Sequence, residues 1–206
     1  MTDDTGRSAR KRRAIVDAAT TVFLQKGYLG TSMDEIAARA AVSKQTVYKQ
    51  FADKEHLFGE ILLGTVDDIT DLVDPALGDT EDLPKDLGEL AHRFVASLMR
   101  PEVLRLRRLV IGEAGRFPEL GRTWYERGFD RVIGALASTV ERLAERGLIR
   151  VDDPTVAAHH FFGLILWIPV NRVMFCGEDE RFTAAELDRI ADDGVRVFLA
   201  AYTAAR

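Results

Sequence analysis

The chain has a single cysteine, Cys176, among its 206 residues. No disulfide can form within it, which fits a reducing cytoplasm. A metal site built on clustered cysteines is excluded as well. Long apolar runs are also missing. The longest, Phe161–Val170, covers ten residues and stops at Asn171-Arg172. A bilayer span needs about 20 apolar residues, so this run reads as a buried helix and no membrane partner is expected. The opening residues, Met-Thr-Asp-Asp-Thr-Gly-Arg-Ser, hold no apolar stretch of the signal-peptide kind, so the expected location is the cytoplasm. Strand-like alternation, internal repeats and low-complexity segments are absent. So are an H-E-x-x-H pair, a Walker loop, a nucleophile elbow and a dinucleotide fingerprint.

What is present is an ordinary globular composition, 47% apolar and 30% charged. The net charge of −5 is unevenly spread. Residues 1–56 carry ten Lys/Arg against seven Asp/Glu, and the remaining 150 carry eighteen against twenty-six. A positive segment on an acidic body draws a polyanion to the N-terminal end, where Arg10-Lys11-Arg12-Arg13 supplies much of the excess.

Apolar residues recur at helical spacing almost throughout. A first helix is expected from about Ser8 to Lys26, with Ile15, Ala18, Ala19, Val22 and Phe23 on one face and Gly27 as the residue that ends it. Ser32-Met33-Asp34-Glu35 reads as a capping box that starts a short second helix ending near Ala40. Ser43 caps a third, about Lys44 to Gln50, and Asp53 a fourth running toward Val73. After a connection at Asp74–Pro84, further helices are expected at about 84–99, 101–115, 118–147, 154–176 and 183–204, about nine in all. Pro101, Pro118 and Pro154 suit first-turn positions, and Thr183-Ala184-Ala185-Glu186 is a second capping box.

Three short helices with a tight Ala41-Val42 link between the second and third describe a helix-turn-helix. The short link lets helix two brace helix three, whose N-terminal half enters the major groove of double-stranded DNA. Lys44, Gln45, Thr46, Tyr48 and Lys49 form its polar outward side. Lysine reaches phosphate or guanine, glutamine pairs with adenine, and threonine meets a thymine methyl or a phosphate oxygen. Ser32 and Ser43 at the two helix starts, and Lys54 at the start of helix four, are further candidate phosphate contacts.

The stretch Ala14–Phe58 resembles the N-terminal domain of the TetR family. The match rests on Ile15, Ala18, Ala19, Phe23, Gly27, Tyr28, Thr31, Ser32, Ile36, Ala37, Ala40, Val42, Ser43, Thr46, Val47, Tyr48, Phe51, Lys54, Leu57 and Phe58, within GYLGTSMDEIAARAAVSKQTVYKQFADKEHLF. Two positions depart from the family pattern. Ala41 stands where glycine is usual, an exchange that a negative φ accommodates, and Gln50 replaces a common histidine. The resemblance implies an all-α chain with a DNA-binding domain at 8–56 and a larger helical domain at 57–206. That second domain would bind a small molecule and form a homodimer, most often in a repressor released from a palindromic operator. Residues 108–128 and 151–165 resemble the AefR-like subgroup more loosely.

In the second domain Phe94, Leu98, Trp124 and Phe162 are candidate linings of an apolar pocket for an apolar or amphipathic effector, although such aromatics equally build a core. Leu187, Ile190, Phe198 and Tyr202 in the last helix are candidates for a two-fold dimer face. No cofactor or metal is expected. His159 and His160 point about 100° apart on a helix and do not chelate one ion readily. Two other readings compete. A di-metal bundle enzyme would use Glu89-x-x-His92, but only one copy of that spacing exists where two are needed. A helical carrier or adaptor without DNA binding would have no use for the polar face of helix three.

Overall fold

A computed structural model describes residues 3–73, 75–177 and 182–203. Among them the fold is all-α, with an isolated bridge between Ile149 and Thr203 as the only β contact. The helices are α1 (Asp3–Gly30), α2 (Met33–Arg39), α3 (Lys44–Gln50), α4 (Lys54–Thr70), α5 (Leu83–Leu98), α6 (Pro101–Glu113), α7 (Pro118–Trp124), α8 (Asp130–Glu145), α9 (Pro154–Cys176) and α10 (Ala184–Tyr202). A π-helical turn, Tyr125–Phe129, joins α7 to α8, so the single helix expected at 118–147 is continuous but carries one widened turn. The connection before α5 contains a short 3-10 turn, Pro75–Asp79.

The caps explain most boundaries. Gly27 has φ +72 and interrupts α1 where the sequence places a helix end; one further turn follows it. Asp153 accepts from the backbone N–H groups of Thr155 and Val156, with Pro154 in the first turn of α9. Thr183 and Glu186 form a complete reciprocal capping box. The box expected at Ser32 is only half made. Ser32 accepts from the Glu35 N–H at 3.2 Å, but the Glu35 carboxylate turns to Lys26, 2.7 Å away, because an ammonium is a stronger partner than a neutral amide.

Two compact units emerge. The first comprises the residues up to Thr65 together with Arg105–Tyr125. Its core joins Ile15, Ala19, Val22 and Phe23 of α1 to Ile36 of α2, Val47 of α3 and Leu57 and Phe58 of α4. Leu106, Val110 and Leu120 complete it, so this unit is larger and less contiguous than the 8–56 segment read from the sequence. The second unit comprises Val66–Leu104 and the chain from Glu126. There α10 packs on α5 and α9, and α9 on α8. A line of rings runs through the core: Phe94–Phe162 at 4.7 Å between centroids, Phe161–Phe198 at 5.4 Å and Phe198–Tyr202 at 4.7 Å. Gly194 allows α10 to lie close against α9, since a Cβ there would meet Ile165 Cγ2 at 2.7 Å.

Candidate nucleic-acid interface

The link between α2 and α3 is a Schellman turn. The Ala41 N–H donates to Ala38 O at 3.2 Å and the Val42 N–H to Ala37 O at 3.1 Å. This motif needs a left-handed residue, and Ala41 supplies it at φ +53. The negative φ expected at Ala41 is therefore corrected. The chain makes the same turn after α8 with a glycine: Gly147 has φ +73, with bonds from Gly147 N–H to Ala144 O and from Leu148 N–H to Leu143 O.

Ser43 then starts α3. Its Oγ accepts from the Thr46 N–H at 3.1 Å and lies 2.8 Å from Thr46 Oγ1. Val47 is fully buried and anchors the helix. The opposite side is exposed, and Gln45, Thr46, Tyr48 and Lys49 line one open concavity there. Lys44 sits beside them, with its ammonium 2.7 Å from Asp34 Oδ1 and 5.9 Å from the Tyr48 ring centroid. The hydrogen bond to Asp34, and then its charge, raise the Lys44 pKa, so the side chain presents a fixed cation. Ser32 is exposed at the start of α2.

Lys54 is placed differently from the others. Its ammonium donates to Tyr28 O at 2.8 Å and Thr31 O at 3.1 Å and lies 4.5 Å from the Tyr28 ring centroid. Burial lowers its pKa, and two of its three donors are engaged within the unit. The Tyr28 hydroxyl is pushed up to about 12, first by burial and then by Glu55, Asp53 and Glu119.

Two features of the N-terminal arm lie beyond sequence reading. Gln50 Nε2 donates to Ser8 Oγ at 3.1 Å, and Arg12 pairs with Glu60 while stacking over the Phe51 ring at 4.6 Å. These contacts join residues 39 to 48 positions apart, and no local signal announces them. They set the start of α1 beside the end of α3, with Arg7, Arg10, Lys11 and Arg13 exposed.

The remaining candidates separate. Phe94 and Phe162 are buried and in contact, with Leu98 partly buried against the same cluster. Trp124 is partly buried against the core of the first unit instead. Phe198 is buried in its own chain's core, so it is not a residue to offer a second chain. Leu187, Ile190 and Tyr202 are partly buried. The large apolar side chains left exposed on α9 and α10 include Val156, Trp167, Ile168, Phe175 and Val197. A shallow concavity between these helices is lined by His159, His160, Gly163, Leu164, Val197, Ala201 and Tyr202. Asn171 donates to Trp167 O at 2.8 Å, and Arg172 stacks on Phe182. His92 of the lone E-x-x-H is bonded to Asp192 at 2.7 Å, and no group of three or more metal-ligating side chains occurs among the described residues. No described helix is long and apolar enough to cross a membrane.

Comparisons with known proteins agree with this geometry. The family described as bacterial regulatory proteins, tetR family, matches residues 15–61, and the AefR-like transcriptional repressor C-terminal domain matches residues 85–204. A TetR-family transcriptional regulator from Mesorhizobium loti has a solved structure that is 50% identical, with a TM-score of 0.87 over 96% of this chain and 99% of that one. The HTH-type regulator YhgD of Bacillus subtilis is 28% identical over 155 residues, covering 73% of this chain and 78% of its own. The HTH-type repressor DhaR of Mycobacterium sp. is 28% identical over 145 residues, 68% of this chain and 71% of its own.

Proposed function

The chain belongs to the TetR family of DNA-binding transcriptional regulators, and from that premise we propose that it is a cytoplasmic, homodimeric repressor released from a palindromic operator by a small apolar or amphipathic effector. One observation carries the reading: a short, doubly capped α3 buries Val47 and turns Lys44, Gln45, Tyr48 and Lys49 outward together. Ser32, Ser43 and Thr46 hold phosphates at the helix starts, and the exposed arginines of the arm extend the positive footprint. Lys54 contributes chiefly by holding the frame.

A two-fold dimer must set its reading helices about 34–36 Å apart to enter successive major grooves. The exposed side of α9 and α10, with Gly163, Leu164, Trp167 and Val197, is the proposed dimer face. Around Phe94, Leu98 and Phe162 the second unit supplies the apolar surroundings for an effector. Helix α4 gives Leu57 and Leu62 to one core and Val66 and Ile69 to the other, so a shift of α4 on effector binding changes the spacing of the heads. By linkage, DNA then weakens effector binding by the same factor. Selection of binding sequences from random DNA tests this. The expected product is an inverted repeat with half-site centres about one helical turn apart. Enrichment of no motif would favour a carrier or adaptor that does not read DNA.

A further inference from the structure

Two adjacent acids at the start of α2 take different partners. Asp34 and Glu35 point about 100° apart around the helix. The Glu35 carboxylate reaches back to Lys26 of α1, 2.7 Å away. The Asp34 carboxylate reaches forward to the reading helix, with Oδ1 2.7 Å and Oδ2 3.0 Å from the Lys44 ammonium. Both side chains of this second pair are more than half exposed, so the pair adds little to stability. It stands beside the outward side of α3, with the ammonium 5.9 Å from the Tyr48 ring centroid. A carboxylate on a face that meets a polyanion weakens sequence-independent binding, because phosphate contacts supply that affinity. It also occupies a cation that would otherwise go to a phosphate. Such a group is useful where it accepts a hydrogen bond from a base, and in the major groove those donors are the amino groups of cytosine and adenine.

We propose that Asp34 is a specificity-determining residue and that, with Lys44, it reads one G·C base pair in each half-site. The ammonium donates to guanine O6 and N7, and the carboxylate accepts from the cytosine amino group. The spacing fits. Guanine O6 and cytosine N4 are hydrogen-bonded to each other and stand about 2.9 Å apart, an acceptor beside a donor. Lys44 and Asp34 present the complement, a donor beside an acceptor at 2.7 Å. Three ammonium protons suffice for Asp34 and the two guanine acceptors. An A·T pair also sets an acceptor beside a donor, but thymine places its methyl where guanine has N7, so the ammonium loses one acceptor there. This assignment deepens the DNA-reading proposal above and rests on it.

Fluorescence-anisotropy titration of the full chain at physiological salt tests the assignment. The probes are the inverted repeat that wild-type protein selects from random DNA, its single-position exchanges made symmetrically in both half-sites, and a shuffled duplex of the same composition. Wild type is expected to lose about ten-fold or more in affinity when one G·C pair per half-site is exchanged for any other pair. Asp34→Ala and Lys44→Ala should each bring all four pairs at that same position within about three-fold and leave the preferences elsewhere in place. Asp34→Ala should also bind the shuffled duplex more tightly than wild type. Both variants are expected to melt with wild type. If Asp34→Ala melts markedly lower, Asp34→Asn decides: it keeps an acceptor oxygen and drops the charge, so the G·C preference should shrink, and an undiminished preference would contradict the assignment. Variants that relax different positions, a preference for A·T at the shared position, or a gain for Asp34→Ala that is equal on every duplex would each overturn the assignment alone. A wild-type protein that selects no sequence would overturn the regulator reading and this assignment together.

Discussion

Lys54 holds its ammonium 2.8 Å from the carbonyl oxygen of Tyr28 and 4.5 Å from the centroid of the same residue's ring. The first turn of α4 is thereby fastened to the end of α1, beneath the start of α2. Lys54→Met would leave the Tyr28 and Thr31 carbonyls short of a donor and remove a cation–π contact. A loss of about 1–2 kcal/mol in urea unfolding is expected. Lys49→Ala, on the exposed side of α3, should leave the unfolding midpoint where it is and weaken DNA binding alone. Equal stability of the Lys54→Met protein would show that the lysine is free to serve DNA.

Ala41 occupies a left-handed position that the turn requires, at φ +53. An L-residue with a Cβ is strained there by about 1–2 kcal/mol, while glycine is not. Ala41→Gly should therefore raise stability by roughly 1 kcal/mol, after the larger chain entropy of glycine in the unfolded state is set against the relief. A melting temperature that falls would mean that the turn relaxes at no cost.

At Gly194 the usual helix rule is reversed. Replacing a mid-helix glycine by alanine ordinarily gains about 0.5–1 kcal/mol. Here the new methyl would stand 2.7 Å from Ile165 Cγ2 and 3.2 Å from the Leu164 carbonyl carbon. Forcing α10 away from α9 should cost about 1–3 kcal/mol. Thermal unfolding of Gly194→Ala decides the sign.

His56 lies 2.9 Å from Asp53 Oδ1, which raises the imidazole pKa first by hydrogen bonding and then by charge. The carboxylate is lowered in turn, first by the backbone N–H of His56. A raised folded pKa means that the stabilising contribution of His56 is fully present below its ordinary value near 6.5 and disappears as pH rises through the folded value. The Asp53 contribution is present above its ordinary value and disappears as pH falls through the lowered one. Both groups are exposed, so the effect on stability is small and NMR titration is the suitable measurement. The His56 midpoint should lie above that of the Asp53→Asn protein; coincident midpoints would contradict the pairing.

Much of this was legible in local sequence. The caps at Ser32, Ser43, Asp53 and Thr183, the break at Gly27, and the polar outward side of α3 all depend on neighbours within four positions. What local pattern missed depends on distant partners. Glu35 abandons its box for Lys26, Lys54 turns inward to Tyr28, and Gln50 reaches Ser8 across the fold. Periodicity also could not separate the two cores. Trp124 and Phe94 look alike as apolar positions on amphipathic helices, yet they join different clusters. Phe198 shares a stripe with Tyr202, but only packing shows that it is consumed within its own chain. The sequence of Ala41 signalled an exception to the family pattern without revealing that its φ is positive.

The central claim is that the exposed side of α3 reads DNA. Binding of the purified protein to the DNA upstream of its own gene, against an unrelated fragment at physiological salt, tests it most directly. Tight and selective binding is expected. It should be abolished by Tyr48→Ala and weakened by Lys44→Ala at unchanged melting temperature, and its dependence on salt should lessen by about one unit of slope when one phosphate-contacting lysine is removed. Selective binding that survives both substitutions, or no binding to either fragment even at low salt, would contradict the account.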